Sequence, residues 1–280
     1  MGADIDADGD GTWRDHELKR DAAEAGGRDY ATDSTHKTLT SLRQGSMIHV
    51  FDQDFDRRVA EPFHDAYMTH TSTSPNYQIL ASLDVGRRQV ELEGHAFVAQ
   101  SIELAMSLRE RIKEDALTSR YFEVLGPGAM VPDAYRPSGL ETYYDQTTGF
   151  APIEPAWAQD ELVLDPTRVT VHIGRTGMDG DTMKHLLMER FDIHINKTSR
   201  NSLLFLVHVG MTRGTIAHLL KVLHTIATEL DARLSRASDT ELRLHASQVQ
   251  SLTVDLPPLP DSTRFHHAFR PAPPRAPTHR

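Results

Sequence analysis

Cysteine is absent from this 280-residue chain, which excludes disulfides, thiolate nucleophiles and cysteine-built zinc sites. There is no apolar run of about 18 residues and no secretory signal pattern at the start, so the sequence calls for no membrane. Basic charge is in deficit: 30 Lys and Arg stand against 40 Asp and Glu, a net charge of −10. That is the wrong sign for general attraction to nucleic acid and favours small cations only weakly. A cytoplasmic setting fits these absences best, and length and composition agree with a soluble α/β protein. Its length and 39% hydrophobic content give room for one large or two modest domains.

Residues 1–33 are acidic, glycine-rich and without apolar periodicity, so they read as an unordered leader. Within them Asp6, Asp8, Asp10, Gly11 and Glu17 fit the spacing of a calcium-binding EF-hand loop. The context is wrong for one: too few residues precede Asp6 for an entering helix, Trp13 takes the usual aliphatic position, and no second loop pairs with it. A biased acidic stretch is the preferred reading, with no metal site assigned. His266-His267 likewise lacks a third ligand at useful spacing, and Asn196-Lys197-Thr198 matches a glycosylation sequon by chance.

Ser46 to Val50 reads as a short strand. Ser74 stands where an N-cap belongs and Pro75 where proline favours the first helical position, so a helix is expected to start there. Ile79, Leu83 and Val90 mark one face of it, and Val98, Ile102, Ala105, Leu108 and Ile112 mark one face of a longer helix; both stripes are expected to be core. Gly126-Pro127-Gly128 and the segment from Pro132 to Pro155 read as loops. From Leu162 order resumes. Val169, Val171 and Ile173 alternate as a strand, Thr182 to Arg190 forms a helix, Ile193 and Ile195 alternate again, and Leu203 to Val209 is a buried strand. Ile216, Leu219, Leu220, Leu223, Ile226 and Leu230 then stripe a helix opened by Thr212. After Ala237 the pattern fades into a proline-rich tail.

The chemistry concentrates in Ser34-Thr35-His36-Lys37. An amine that condenses with an aldehyde must be unprotonated, and partial burial beside an imidazole and hydroxyls favours that form. Alone, the tetrapeptide reads as a solvated turn, and His36 as a packed histidine with a backbone hydrogen bond. Downstream, Thr71-Ser72-Thr73-Ser74 sets hydroxyls at a helix start, where free backbone N–H groups attract phosphate; the plainer reading is that Ser74 only caps its helix.

Taken together, Ser34-Thr35-His36-Lys37-Thr38-Leu39, Gln44-Gly45-Ser46-Met47-Ile48-His49-Val50, Ala66-Tyr67-Met68, His70-Thr71-Ser72-Thr73-Ser74-Pro75 and Ala81-Ser82-Leu83-Asp84-Val85 stand in one order. Leu164 to Thr170, Asn196-Lys197-Thr198 and Leu203 to Leu206 continue it. In that order and spacing the chain resembles the bacterial ornithine/lysine/arginine decarboxylases, pyridoxal-phosphate enzymes of the aspartate-aminotransferase fold, over roughly residues 34–270.

The resemblance implies an α/β fold: the C-terminal part of an aspartate-aminotransferase-like large domain that binds pyridoxal 5'-phosphate, plus a small α/β domain. The divisions expected are a leader (1–33), a partial large domain (34–125), the small domain (126–236) and a proline-rich tail (237–280). It implies that Lys37 forms the Schiff base and that His36 and Ser34 lie against the cofactor. It also implies that Ser72 and Ser74 approach a phosphate, that of the partner subunit in a homodimer or higher oligomer. The substrate implied is a small basic amino acid, decarboxylated to its amine.

Relatives carry, ahead of the lysine, an aspartate for the pyridine nitrogen and a stacking aromatic or histidine. Asp10 and Asp15 match neither motif, so no role is carried over. The chain is expected to be a truncated or degenerate member with impaired turnover. Two alternatives stay open: a non-catalytic homologue that modulates a full-length decarboxylase, or another reaction on the same fold, such as transamination with Arg200 or Arg213 gripping the substrate carboxylate. The sequence does not choose among arginine, lysine and ornithine.

Overall fold

The computed structural model describes residues 28–145, 147–149 and 153–254. The leader's calcium-loop string, Asp10, Asp15 and His266-His267 lie outside the described residues.

The first described element is a strand. β1 (Arg28–Asp33) pairs antiparallel with β2 (Met47–Asp52), in a register that sets Ala31 opposite His49 and Asp33 opposite Met47. Residues 28–33, read from the sequence as part of an unordered leader, form β1. Between the two strands lies the one-turn helix α1 (Thr35–Thr38). A π-helical turn, Phe55–Val59, leads into α2 (Ala60–His70).

α3 (Tyr77–Glu114) is a single helix of 38 residues. Two helices were expected here, but no proline separates the two stripes, and the intervening glycines do not break the helix. Its start also differs from expectation. The Asn76 side chain accepts hydrogen bonds from the amides of Gln78 (3.0 Å) and Ile79 (3.2 Å), so Asn76, and not Ser74, satisfies the free N–H groups of the first turn.

The large apolar side chains of the helix are fully buried over its C-terminal part only. Leu104, Ala105, Met106, Leu108 and Ile112 are buried, whereas Leu80, Val85, Val90, Leu92 and Val98 face solvent. Val90 and Val98, read as core, are thus surface residues. One cluster of the core joins Met106 to Tyr143, Ile153 and Ala156, with Ile102, Leu140 and Val163 packed around them. Each such apolar side chain contributes on the order of 1.5–3 kcal/mol through burial.

α4 (Thr118–Tyr121), β3 (Glu123–Val124) and α5 (Pro127–Met130), with proline in its first turn, follow. A 3-10 turn, Asp133–Tyr135, and α6 (Ile153–Gln159) occupy the segment expected to be loop. Then come β4 (Arg168–His172), a 3-10 turn, Gly174–Thr176, and α7 (Gly180–Phe191), capped by Asp179. β5 (Lys197–Thr198), β6 (Ser202–Leu206), α8 (Arg213–Leu234) and α9 (Asp239–Thr253) complete the order.

β3, β4, β6 and β5 form one sheet in that order, with β3 antiparallel to β4 and β5 antiparallel to β6. β4 and β6 alternate as their sequences require, burying Val169 and Val171 on one and Leu203 and Phe205 on the other. Ile193 and Ile195 belong to no strand; Asp192 takes a left-handed conformation (φ 53°) that ends α7, and the paired residues are Lys197 and Thr198. α8 carries its apolar stripe as read, with Thr212 accepting from the Thr215 amide at 3.2 Å.

The helix α9 stands where a tail was expected to begin. Ser238 and Glu241 close a reciprocal capping box at its start, a device that nucleates a helix even when few of its residues are buried.

Two compact units group these elements. One draws on Met1–Arg111, Gly126–Val169 and Phe205–Leu220; the other on Ile112–Leu125, Thr170–Leu204 and Lys221–Arg280. The segments 34–125 and 126–236 read from the sequence each contribute to both. Among the described residues, no helix is long and apolar enough to cross a membrane, and no group of three His, Asp or Glu could hold a metal ion.

Candidate functional site

The β1–β2 hairpin presents Lys37. Ser34 leaves β1 in an extended conformation, and its carbonyl accepts the Lys37 amide at 3.3 Å, closing the single turn of α1. The strand end is pinned by His49 on β2, whose Nε2 lies 3.1 Å from an Asp33 carboxylate oxygen. Thr35 is 6% exposed. Its Oγ1 and the Nδ1 of His36 are buried and without hydrogen-bond partners among the described residues. Lys37 itself is exposed and Ser34 half-buried, so the partial burial expected of the lysine is absent, while the polar atoms just before it are buried and unanswered.

The chain after Lys37 is held against α3. Gly86 is buried in that helix, and a Cβ there would lie 2.0 Å from the Thr40 carbonyl oxygen. The Leu42 amide donates to Ser82 Oγ at 3.0 Å, and Gly45 lies against Leu83, with 3.0 Å between an added Cβ and the leucine methyls. Gln44 takes a positive φ of 77°, which lets the chain turn back towards β2.

Ser72 and Ser74 belong to a second locus. They line a cavity of about 740 Å³ together with Gln44, Thr71, Asn76 and Ile79. Ser72 Oγ accepts from the Ser74 amide and bonds the Ser74 carbonyl, both at 3.2 Å. Thr71 Oγ1 donates to the Tyr67 carbonyl at 2.7 Å, extending α2 by one bond. Ser34, His36 and Lys37 are not among the residues lining this cavity. The residues named from the sequence thus fall on two surfaces of one unit, the lysine turn and the hydroxyl cavity.

Sequence reasoning missed three contributors. Asn76 caps the helix that floors both loci; an asparagine three residues before Ile79 was its signal. Gly86 allows the loop after Lys37 to approach, and nothing in the string reveals that contact. Thr35 offers a buried hydroxyl although only its neighbours were nominated. Arg200, considered as a carboxylate grip, is occupied: it donates to the Ser251 carbonyl and, at 3.0 Å, to the Ser251 hydroxyl.

The lysine turn, the hydroxyl cavity and α3 all fall within residues 14–215, which match the family described as Orn/Lys/Arg decarboxylase, major domain. The chain belongs to that family. A lysine decarboxylase of Pseudomonas aeruginosa is 29% identical over 223 residues, covering 73% of this chain and 29% of that protein. The inducible lysine decarboxylase of Escherichia coli K12 is 30% identical over 217 residues, again 73% of this chain and 29% of the relative. The structure of the E. coli constitutive lysine decarboxylase superposes with a TM-score of 0.52 at 22% identity, over 81% of this chain and 32% of that one. The α/β fold expected from the sequence is therefore that of the lysine decarboxylases. This family member spans under a third of the length of these relatives.

Proposed function

We propose that this chain serves the pyridoxal-phosphate-dependent decarboxylation of a basic amino acid, lysine, arginine or ornithine, with Lys37 as the cofactor-bearing residue. The observation that carries the reading is the α1 turn: an exposed amine directly after two buried polar atoms, Thr35 Oγ1 and His36 Nδ1, that lack partners among the described residues. Leaving a buried polar group unpaired costs about 1–3 kcal/mol, so such a pair fits a polar ligand seated beside the lysine.

The fit is good on the lysine side of the cofactor. Lys37 would hold its aldehyde carbon, His36 and Thr35 would supply polar contacts, and Ser34 would stand at the strand end. Of the hairpin carboxylates, Asp33 is engaged by His49 and Asp52 accepts the Tyr30 hydroxyl at 2.6 Å, so neither is free for the pyridine nitrogen. When bound, the cofactor supplies an electron sink for the charge left on Cα as carbon dioxide departs. The Lys37 amine would be the group that holds or returns a proton at the substrate carbon. Ser72 and Ser74 would donate hydroxyl protons to a phosphate at the other locus, in keeping with a site shared between two copies of the chain. Turnover by this chain alone is expected to be weak.

The test is the visible absorption spectrum of the purified protein with pyridoxal phosphate, before and after borohydride, beside Lys37→Ala. A reducible covalent cofactor bond that requires Lys37 supports the reading, and labelled carbon dioxide released from lysine, arginine or ornithine then identifies the substrate. No such bond in either protein removes it.

A second reading is favoured by the solvent-facing apolar side chains of α3, among them Tyr77 at 78% and Leu92 at 66% exposed. In it the chain pairs with a full-length decarboxylase and modulates its activity. Co-purification with a full-length subunit supports it; a chain that elutes unchanged in the presence of that subunit argues against it. Transamination with Arg200 as the carboxylate grip is disfavoured by the engagement of that residue with Ser251.

A further inference from the structure

Helix α9 is fastened at its C-terminal end by two side chains of the sheet region. Arg200 donates to the Ser251 carbonyl and hydroxyl, and Asn201 Nδ2 donates to the Leu252 carbonyl at 2.9 Å. The last carbonyls of a helix have no partners within it, so this grip answers groups that would otherwise be left open.

Two histidines lie in the contact. The His172 ring rests beside Gly174: a Cβ there would lie 2.8 Å from His172 Cε1 and 3.1 Å from the Leu252 carbonyl oxygen. His245, on α9 itself, rests on Gly177, where a Cβ would lie 2.7 Å from its Nδ1 and where φ is +73°. The segment 174–177 between β4 and α7 therefore accommodates both rings by lacking side chains at its first and last positions. The Nδ1 of His172 is buried with no partner among the described residues; a proton placed on it would find no acceptor.

The charged neighbours on the packed elements do not rescue that proton. Glu123, opposite His172 on β3, is already paired with Arg175 at 3.0 Å, and Arg175 itself opposes a positive ring. Arg200 stands at the other carbonyl of the grip, and Arg233 on α8 is the charged neighbour of His245. Glu241, on the first turn of α9, is committed to Ser238.

We propose that α9 is an acid-released latch: when His172 and His245 take up protons, the helix comes away from the turn at residues 174–177, and above neutral pH it stays fastened. Burial is the leading cause that holds both imidazoles below the ordinary histidine value; at His172 Glu123 and the Leu252 carbonyl oppose it and Arg175 reinforces it, and at His245 Arg233 reinforces it. A lowered pKa in the docked state means that docking is fully supported above about pH 6.5 and is lost as pH falls through the lowered values.

The experiment is backbone amide hydrogen exchange of the full chain between pH 7.5 and 5, corrected for intrinsic rates, with the two imidazoles titrated by NMR. Protection of α9 is expected to fall by about tenfold per pH unit below 6.5 for one histidine, and by up to about a hundredfold when both charge. Residues 222–230 of α8 should keep theirs. Protection of α9 that is flat with pH, or that falls only together with that of α8, overturns the latch. The double variant His172→Gln, His245→Gln should show no pH step. If it leaves α9 unprotected at every pH, the wild-type titration decides: both rings titrating below 6.5 in step with the loss of protection sustains the proposal, and either ring titrating at or above 6.5 refutes it.

Discussion

Gly86 and Thr40 approach so closely that a Cβ on the glycine would lie 2.0 Å from the threonine carbonyl oxygen. This is backbone against backbone, three residues beyond Lys37, and no rotamer change can relieve it. Alanine in place of Gly86 would gain about 1 kcal/mol of helix propensity, but forcing the loop off α3 costs about 1–3 kcal/mol or more. Gly86→Ala is therefore expected to destabilise the chain and to loosen the lysine turn. Urea unfolding and borohydride trapping of the cofactor at Lys37 check the two effects; an alanine variant more stable than wild type would show that the contact is not made.

Thr35→Val replaces a buried hydroxyl that has no partner among the described residues by a methyl of like size. Most polar-to-apolar changes at a satisfied site destabilise. Here the change is expected to be neutral or to stabilise by up to about 1–2 kcal/mol, while cofactor retention weakens because a ligand contact is lost. A clear loss of stability in chemical denaturation would mean that the hydroxyl has a partner within the protein.

The two ends of α3 should respond differently to the same truncation. Leu108 is fully buried and Leu92 is two-thirds exposed. Leu108→Ala is expected to cost about 2–5 kcal/mol, and Leu92→Ala to stay within about 0.5 kcal/mol. Denaturant midpoints at equal slope measure both. If the Leu92 variant loses stability in a concentration-dependent way, that face is covered by another molecule in solution.

Asp179 caps α7, accepting the Thr182 amide at 2.8 Å, and this bond holds its carboxyl below the ordinary aspartate range. The charged form is the one stabilised, so the contribution is complete above the unfolded-state value of about 3.9 and fades as pH falls through the lowered one. Asp179→Ala is expected to cost about 0.5–2 kcal/mol at neutral pH. The gap to wild type should narrow below about pH 4; a gap that widens in acid would contradict the cap.

Where the sequence was legible, a single physical rule governed the element. The α8 stripe from Ile216 to Leu230 is a plain helical period, and Val169 and Val171 alternate as a half-buried strand must. The capping residue of α3 was misread because Ser74, Pro75 and Asn76 all carry helix-start signals, and only the amides that Asn76 accepts decide among them. α9 was overlooked because Leu252 alone is buried in it; its start, Ser238 with Glu241 three residues on, was visible but had no apolar period to support it. Val90 and Val98 show the converse limit. A periodic stripe states that a face is apolar, not that this chain covers it. At the lysine turn, residue types were legible, but the burial of Thr35 and the exposure of Lys37 are set by the fold around them and not by the local string.

The interleaving of the two units has a consequence for synthesis. One unit needs residues 126–169 and 205–220 beside the first 111, and Arg109 bonds the Pro166 and Arg168 carbonyls, 57 and 59 positions further on. The other unit needs the stretch from Lys221. A ribosome adding about 5–20 residues per second would leave α3 without its full set of partners for roughly 5–20 s, until residues 205–220 have been made. Throughout that interval the nascent chain shows its neighbours, chaperone or sister polypeptide, a long amphipathic rod whose future core is still open to capture.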